Sequence, residues 1–259
     1  FCWQLNKHRL QKTSPHCTFR VSARSLNGLS LPNLYHLMKH QLTRSFLVLA
    51  SLAAFTFSQA ADGDWVSLFD GKSLAGWNGP DGAKPGPGWS IQEDSIHLDG
   101  KGGILLSDKE YTSFELEWQW KVAEGGNNGL KYWVTKVGGK EWLGIEYQMI
   151  DDNKHPDGLK GGSHNTASIY DLKDSAKDKI LNPPGQWNSS RVVVNNGVIE
   201  HYLNGKLTST VDTKTDEWKE CLAKSKFKNK VGFAPGKGKL MLTDHGDQVW
   251  FKGIRIKEL

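Results

Sequence analysis

Acidic residues are missing from the first sixty positions of this 259-residue chain, which carry seven basic ones: Lys7, Arg9, Lys12, Arg20, Arg24, Lys39 and Arg44. The formal charge of +5, from 33 Lys and Arg against 28 Asp and Glu, therefore belongs to the opening segment. Residues 61–259 hold 33 − 7 = 26 basic and 28 acidic side chains, a net of −2. That balance excludes a generally cationic nucleic-acid binder, which needs Lys and Arg to neutralise phosphates. Cysteine is scarce too. Cys2 and Cys17 fall in the opening segment and Cys221 stands alone after it. A lone Cys forms neither an internal disulfide nor a multi-cysteine zinc site. Long apolar runs are lacking, with one exception, and mean hydropathy is −0.53, which excludes a multi-span helical membrane protein.

The exception is Phe46 to Phe57, behind the first methionine, Met38, and the basic positions Lys39, His40 and Arg44. Its length is that of a signal-peptide core, and Ser58-Gln59-Ala60 supplies small residues for cleavage. The expectation is a non-native extension over 1–37, a signal peptide over 38–60, and one mature domain over 61–259, periplasmic or secreted and free of the membrane after cleavage. About 200 residues suffice for one domain with a sizeable core. No linker divides it and no fixed period repeats.

What is abundant is two-residue alternation. In Ser113 to Val122, Phe114, Leu116, Trp118, Trp120 and Val122 alternate with Glu115, Glu117, Gln119 and Lys121. This predicts a strand with one apolar face. Gly129 to Val134 follows the turn Gly125-Gly126-Asn127-Asn128, so the two are expected to form a hairpin. Leu143 to Ile150 alternates again, and Ala167 to Leu172 reads as a further short strand. Asn196-Gly197 and Asn204-Gly205 mark tight hairpin turns between later strands. Leu240 to Thr243 and Val249 to Lys257 close the chain as strands. Helical signal is confined to Thr215 to Lys226, with Trp218, Cys221 and Leu222 on one face. The pattern predicts an all-β fold, a two-sheet antiparallel jelly-roll sandwich with one short helix. A closed barrel is the alternative.

Ten of the eleven Trp lie after residue 60, since only Trp3 precedes it. Indoles suit glycan ligands because they stack on sugar C–H faces, but they also fill two-sheet cores, which is the expectation for Trp118 and Trp120. The polar residues are more informative. Glu146 and Gln148 are two apart on a strand and share a face, and a carboxylate there must meet solvent or a cleft. Asn127, Asn128 and Lys131 open the strand before. The loop Asp151-Asp152-Asn153-Lys154-His155-Pro156-Asp157-Gly158 has oxygen ligands enough for a cation but departs from the EF-hand pattern, and a solvated turn is the expectation.

The segments W-V-S-L-F-D-G-K-S-L-A-G-W (65–77), E-Y-Q-M-I-D-D, S-I-Y-D-L, G-Q-W-N, I-E-H-Y-L-N-G, S-K-F, D-H-G and V-W-F-K-G-I-R-I-K-E-L occur in this order. Together they resemble the 3-keto-disaccharide hydrolase domain family over nearly all of 65–259. The resemblance implies a concanavalin-like sandwich, export from a bacterium, and action on oxidised sugars. Asn128 stands where the family commonly has Ser, and Thr243 where Gln usually precedes D-H-G. Tyr202 replaces a common Trp, and Lys252-Gly253 a common Arg-Asn. The lost amide at 243 is expected to change substrate contacts.

A ketone at carbon three acidifies the hydrogen at carbon two; its removal lets the enolate expel the group at carbon one, and water then adds back. Such a route needs a base, an electrophile at the ketone oxygen and an acid for the leaving group. The expected catalytic residues are Glu146, His245 and Lys131. Asn127, Asn128, Gln148, Asp151, Tyr170, His201 and Asp244 are the expected substrate contacts, with a buried structural role as the alternative for His201 and turn initiation for Asp244. A divalent metal ion held by Glu146 and His245 is a further expectation, resting on residue type and resemblance. The expected partner is an oligosaccharide or glycoside. Two competing readings are a non-catalytic carbohydrate-binding jelly roll and a conventional glycosidase with two flanking carboxylates. For the latter, Glu115 and Glu117 read as the solvated face of their strand.

Overall fold

The computed structural model describes residues 64–259. The expected upstream extension and signal peptide lie outside the described residues.

Two antiparallel sheets are stacked. The first contains β1 (Val66–Ser67), β3 (Trp89–Gln92), β4 (Ser95–Leu98), β6 (Phe114–Val122), β9 (Asn188–Asn195), β10 (Val198–Leu203), β11 (Lys206–Asp212) and β13 (Val249–Glu258). Their order is β11-β10-β9-β6-β13-β4-β3, with β1 also paired to β13. The second sheet contains β2 (Trp77–Asn78), β5 (Leu105–Tyr111), β7 (Asn127–Val137), β8 (Glu141–Ile150) and β12 (Gly238–Leu242), in the order β2-β5-β12-β7-β8. The single α-helix among the described residues, α1 (Asp216–Lys224), is capped by Thr215, whose hydroxyl accepts from the Trp218 amide.

The period-two patterns become the core. Phe114, Leu116, Trp118, Trp120 and Val122 are buried on the inner face of β6. Ile145, Tyr147 and Met149 of β8 meet them from the other sheet. The Trp118 indole lies edge-on to Tyr147 at 4.9 Å and donates to Met149 Sδ at 3.4 Å, tying the two layers together. Glu117 faces out and pairs with Arg255, and Glu115 with Arg191. Asn196 (φ 49°) and Gly197 (φ 90°) adopt the left-handed geometry that their hairpin turn requires.

Two expectations fail. The turn at 125–128 does not close a hairpin, because β6 and β7 lie in different sheets and the turn carries the chain between layers. Alternation specifies which face of a strand is buried, not which strand it pairs with. Residues 167–172 form no strand; Ile169 makes only isolated bridges to Tyr147 and Lys173. Ala167 (φ 65°) and Asp171 (φ 59°) take left-handed backbone that breaks extension on both sides.

Candidate active site

The site is built on the face of the second sheet that points away from the first. β7 and β8 pair with Lys131 opposite Glu146 and Gly129 opposite Gln148. Since alternate residues share a face, Asn127, Gly129 and Lys131 stand beside Glu146 and Gln148. Glu146 and Gln148 are nevertheless 3% and 1% exposed. The 151–173 segment, the turn after α1 and the 243–247 loop fold back over the sheet. They leave a pocket of about 360 Å³ lined by Asn127, Lys131, Glu146, Gln148, His155, Asp157, Tyr170, Lys226 and His245.

At its floor, Lys131 Nζ lies 3.3 Å from Glu146 Oε2 and His245 Nε2 lies 3.4 Å from Glu146 Oε1. Burial pushes the Glu146 carboxyl upward, but the charge of Lys131 and the contact with His245 outweigh it, lowering the pKa to about 2. Glu146 is therefore a fixed anion and a poor base. Gly129 makes its placement possible: a Cβ there would lie 2.1 Å from Glu146 Oε1. Only a residue without a side chain lets the carboxylate lie across β7 between Lys131 and His245.

The wall is a second polar cluster. Tyr170 Oη donates to Asp157 Oδ2 at 2.7 Å, and Lys160 and His164 contact Asp157 Oδ1 at 2.6 and 3.1 Å. Burial works to raise the Asp157 pKa, yet these donors hold it well below the usual carboxylate range. Burial and Asp157 together push the Tyr170 phenol well up, so it stays protonated. The Asp157 amide donates to His155 Nδ1 at 3.0 Å, which leaves Nε2 of that ring to carry its proton. Asn127 Oδ1 and Gln148 Oε1 are buried without a hydrogen-bond partner. Buried acceptors of this kind are costly unless a ligand supplies donors.

Of the ten residues expected in the site, the pocket gathers Glu146, His245, Lys131, Asn127, Gln148 and Tyr170. The other four lie elsewhere. His201 is fully buried between the sheets, bonded to Tyr132 Oη at 2.9 Å and to the Ser168 carbonyl at 3.1 Å. Asp151 spends its carboxylate on the amides of Gly125 and Asn153, and Asp244 on those of Gly103 and Gly246, so both anchor turns. Asn128 is one residue out of phase with Asn127 and faces inward. Its Nδ2 donates to the Thr243 carbonyl at 2.9 Å, while Thr243 Oγ1 donates to its Oδ1 at 3.1 Å. Asn128 and Thr243, two of the departures from the family pattern, thus touch each other. Thr243 is 2% exposed and does not line the pocket.

A divalent cation does not fit the residues present. The Lys131 ammonium already neutralises Glu146, and among the described residues no three His, Cys, Asp or Glu are arranged so that they could hold a metal ion. Asp152, in the loop expected to be a solvated turn, bonds the Thr166 amide and pairs with Lys179. The pocket also takes in His155 and Asp157, from the loop expected to be a solvated turn, and Lys226, while Gly129 lies beneath Glu146. Gly129 was legible by parity from Lys131; the others come from segments whose return onto the sheet has no local signature.

Comparison with known proteins follows the same outline. A family model described as a 3-keto-alpha-glucoside-1,2-lyase-like domain matches residues 64–257. A 3-keto-disaccharide hydrolase of Bacteroides thetaiotaomicron is 32% identical over 232 residues, spanning 77% of this chain and 79% of its own. A solved structure from Parabacteroides distasonis, described as that of a glycosyl hydrolase, superposes with a TM-score of 0.70 at 32% identity, covering 77% of this chain and 95% of its own. A second structure from that organism, described in the same way, gives a TM-score of 0.60 at 25% identity, covering 76% and 100%.

Proposed function

The chain belongs to the 3-keto-alpha-glucoside-1,2-lyase-like domain family, and on that premise we propose that its pocket cleaves 3-keto-glycosides by proton abstraction, elimination and hydration. That it is a glycoside-cleaving hydrolase follows from the family and from its 32% identical relative. The finer reading rests on the linked Lys131, Glu146 and His245.

In this reading His245 is the base for the hydrogen at carbon two. A neutral imidazole that donates from Nε2 to Glu146 keeps Nδ1 as an acceptor, and the buried carboxylate stabilises the imidazolium that forms. Glu146 is then an orienting anion rather than the base, and Lys131 keeps it charged. Asn127 Oδ1 and Gln148 Oε1 accept from sugar hydroxyls, and His155 Nε2 donates a hydrogen bond to the departing oxygen, which takes its proton from the His245 imidazolium. No step is routed through a metal.

No Trp lines the pocket, whereas the buried ionised residues that do line it are costly to assemble for binding alone. This favours an enzyme over a non-catalytic binding module. Export is part of the same proposal and is supported by the Met38 to Ala60 pattern. N-terminal sequencing of the secreted protein, reading from Ala61, checks it. For the activity, the protein is given a 3-keto-glucoside or the unoxidised glucoside, each with and without EDTA. Release from the keto sugar alone, undiminished by EDTA, is expected. Cleavage of the unoxidised glucoside at a similar rate, or binding without release, overturns the reading.

A further inference from the structure

Lys226 differs from every other charged group in the pocket. Glu146 is taken by Lys131 and His245, and Asp157 by Lys160 and His164. Lys226 enters no ion pair among the described residues; its backbone amide donates to Asp171 Oδ2 at 2.7 Å, and its ammonium lies 4.2 Å from the centre of the Tyr170 ring.

Its position is fixed from both sides. Ser225, 3% exposed, donates to the Leu222 carbonyl at 2.9 Å and accepts from the Phe227 amide at 3.0 Å. Phe227 is buried and stacks on Phe233 with ring centres 4.1 Å apart. With both neighbours turned inward, the Lys226 side chain is directed to the pocket, across the face of a tyrosine whose hydroxyl is itself pinned by Asp157. Partial loss of water around the amine lowers its pKa, with the nearby carboxylates acting in the opposite direction.

We infer that Lys226 is the group that receives the negative charge on the ketone oxygen when carbon two loses its proton. This rests on the proposed function above and deepens it. Lys131 is the less suitable cation, since its charge already offsets that of a buried carboxylate 3.3 Å away. An ammonium that makes no ion-pair contact among the described residues and stands at the pocket before the charge develops is what electrostatic stabilisation of an enolate requires. In the step itself the proton passes to His245 and the C–H electron pair enters the C2–C3 bond. The carbonyl pair moves onto oxygen, which accepts a hydrogen bond from Lys226. The pair then returns to restore the ketone, the C2–C3 π pair moves to form a C1–C2 double bond, and the bond from carbon one to the leaving oxygen breaks, its pair leaving on that oxygen, which takes up the proton held by His245. No bond to Lys226 forms.

The test follows two signals from a 3-keto-glucoside in D2O: deuterium entry at carbon two and release of the aglycone. It compares the full protein with Lys226→Met and Lys226→Arg and records thermal melting of each. In Lys226→Met, kcat for both signals is expected to fall by about 10²- to 10³-fold, with KM within a few-fold and melting unchanged. Lys226→Arg is expected to recover at least about tenfold of that loss, since it restores the charge and a donor. Turnover of Lys226→Met within about threefold of the parent protein overturns the inference. So does a borohydride-trapped covalent adduct on Lys226, because the amine would then be a nucleophile. If the parent protein gives neither signal, the functional reading fails before any variant is considered.

Discussion

Thr243 Oγ1 lies 3.1 Å from Asn128 Oδ1, and the Asn128 amide returns a bond of 2.9 Å to the Thr243 carbonyl. The Gly129 amide donates to the same hydroxyl at 2.9 Å. This buried seam fixes the end of β12 against β7, one residue before Gly129 and two before His245. Asn128→Ala and Thr243→Ala are each expected to cost about 1–3 kcal/mol, because each leaves a buried partner unsatisfied. Combined, they should cost less than the sum, with a coupling of about 0.5–3 kcal/mol measured by denaturant titration of the full cycle. Additive losses would show that the two residues act independently.

Gly129→Ala tests the clearance over β7. The new methyl would occupy the place of Glu146 Oε1, 2.1 Å away, and force the carboxylate off Lys131 and His245. Misplacement on that scale is expected to lower kcat by about 100-fold. Circular dichroism should show the sheet content retained, which separates a displaced site from a lost fold.

The pairing of His245 with Glu146 makes their variants unequal. His245→Ala removes the base and should lower kcat on a 3-keto-glucoside by about 10²- to 10⁴-fold. Glu146→Gln keeps the shape but loses the anion that holds the ring and offsets Lys131, so a smaller loss is expected. Steady-state rates of aglycone release measure both, and full turnover in both variants would place these residues outside the chemistry.

His201 contributes to the acid sensitivity of the core. Its burial lowers the ring pKa from 6.5 to about 3, against weaker opposition from nearby backbone groups. The unfolded chain therefore takes up the proton first. The contribution to stability is full above about pH 6.5 and declines as the pH falls toward 3, amounting to roughly 2 kcal/mol lost by pH 5. His201→Gln retains hydrogen bonding without titrating there. Denaturant titrations from pH 7 to 4 should show that variant less stable at neutral pH but with a flatter slope.

Much of the fold was legible because alternation is a local property. The β6 pattern, the Asn-Gly turns and the capped helix needed no knowledge of distant residues. Parity also placed Glu146 and Gln148 on one face and His201 on the side of Ile199 and Leu203. Applied one step further, it separates Asn128 from Asn127 and Lys131. The roles of Asp151 and Asp244 were harder to read, since a carboxylate that caps a turn and one that binds a sugar look alike in sequence.

What the sequence determined by itself was the period of the strands, the sharp turns, and which polar residues sit side by side on β7 and β8. Tertiary structure decided that β6 and β7 enter different sheets, and that the 151–173 segment and the turn at Ser225 to Phe227 close over the outer face of β8. That closure turns an exposed Glu and Gln into a buried anion and a free acceptor. The physical reason is range: alternation acts between neighbours in the chain, whereas burial, ion pairing and the shift of a pKa depend on groups brought together from about 100 residues apart, as Glu146 and His245 are.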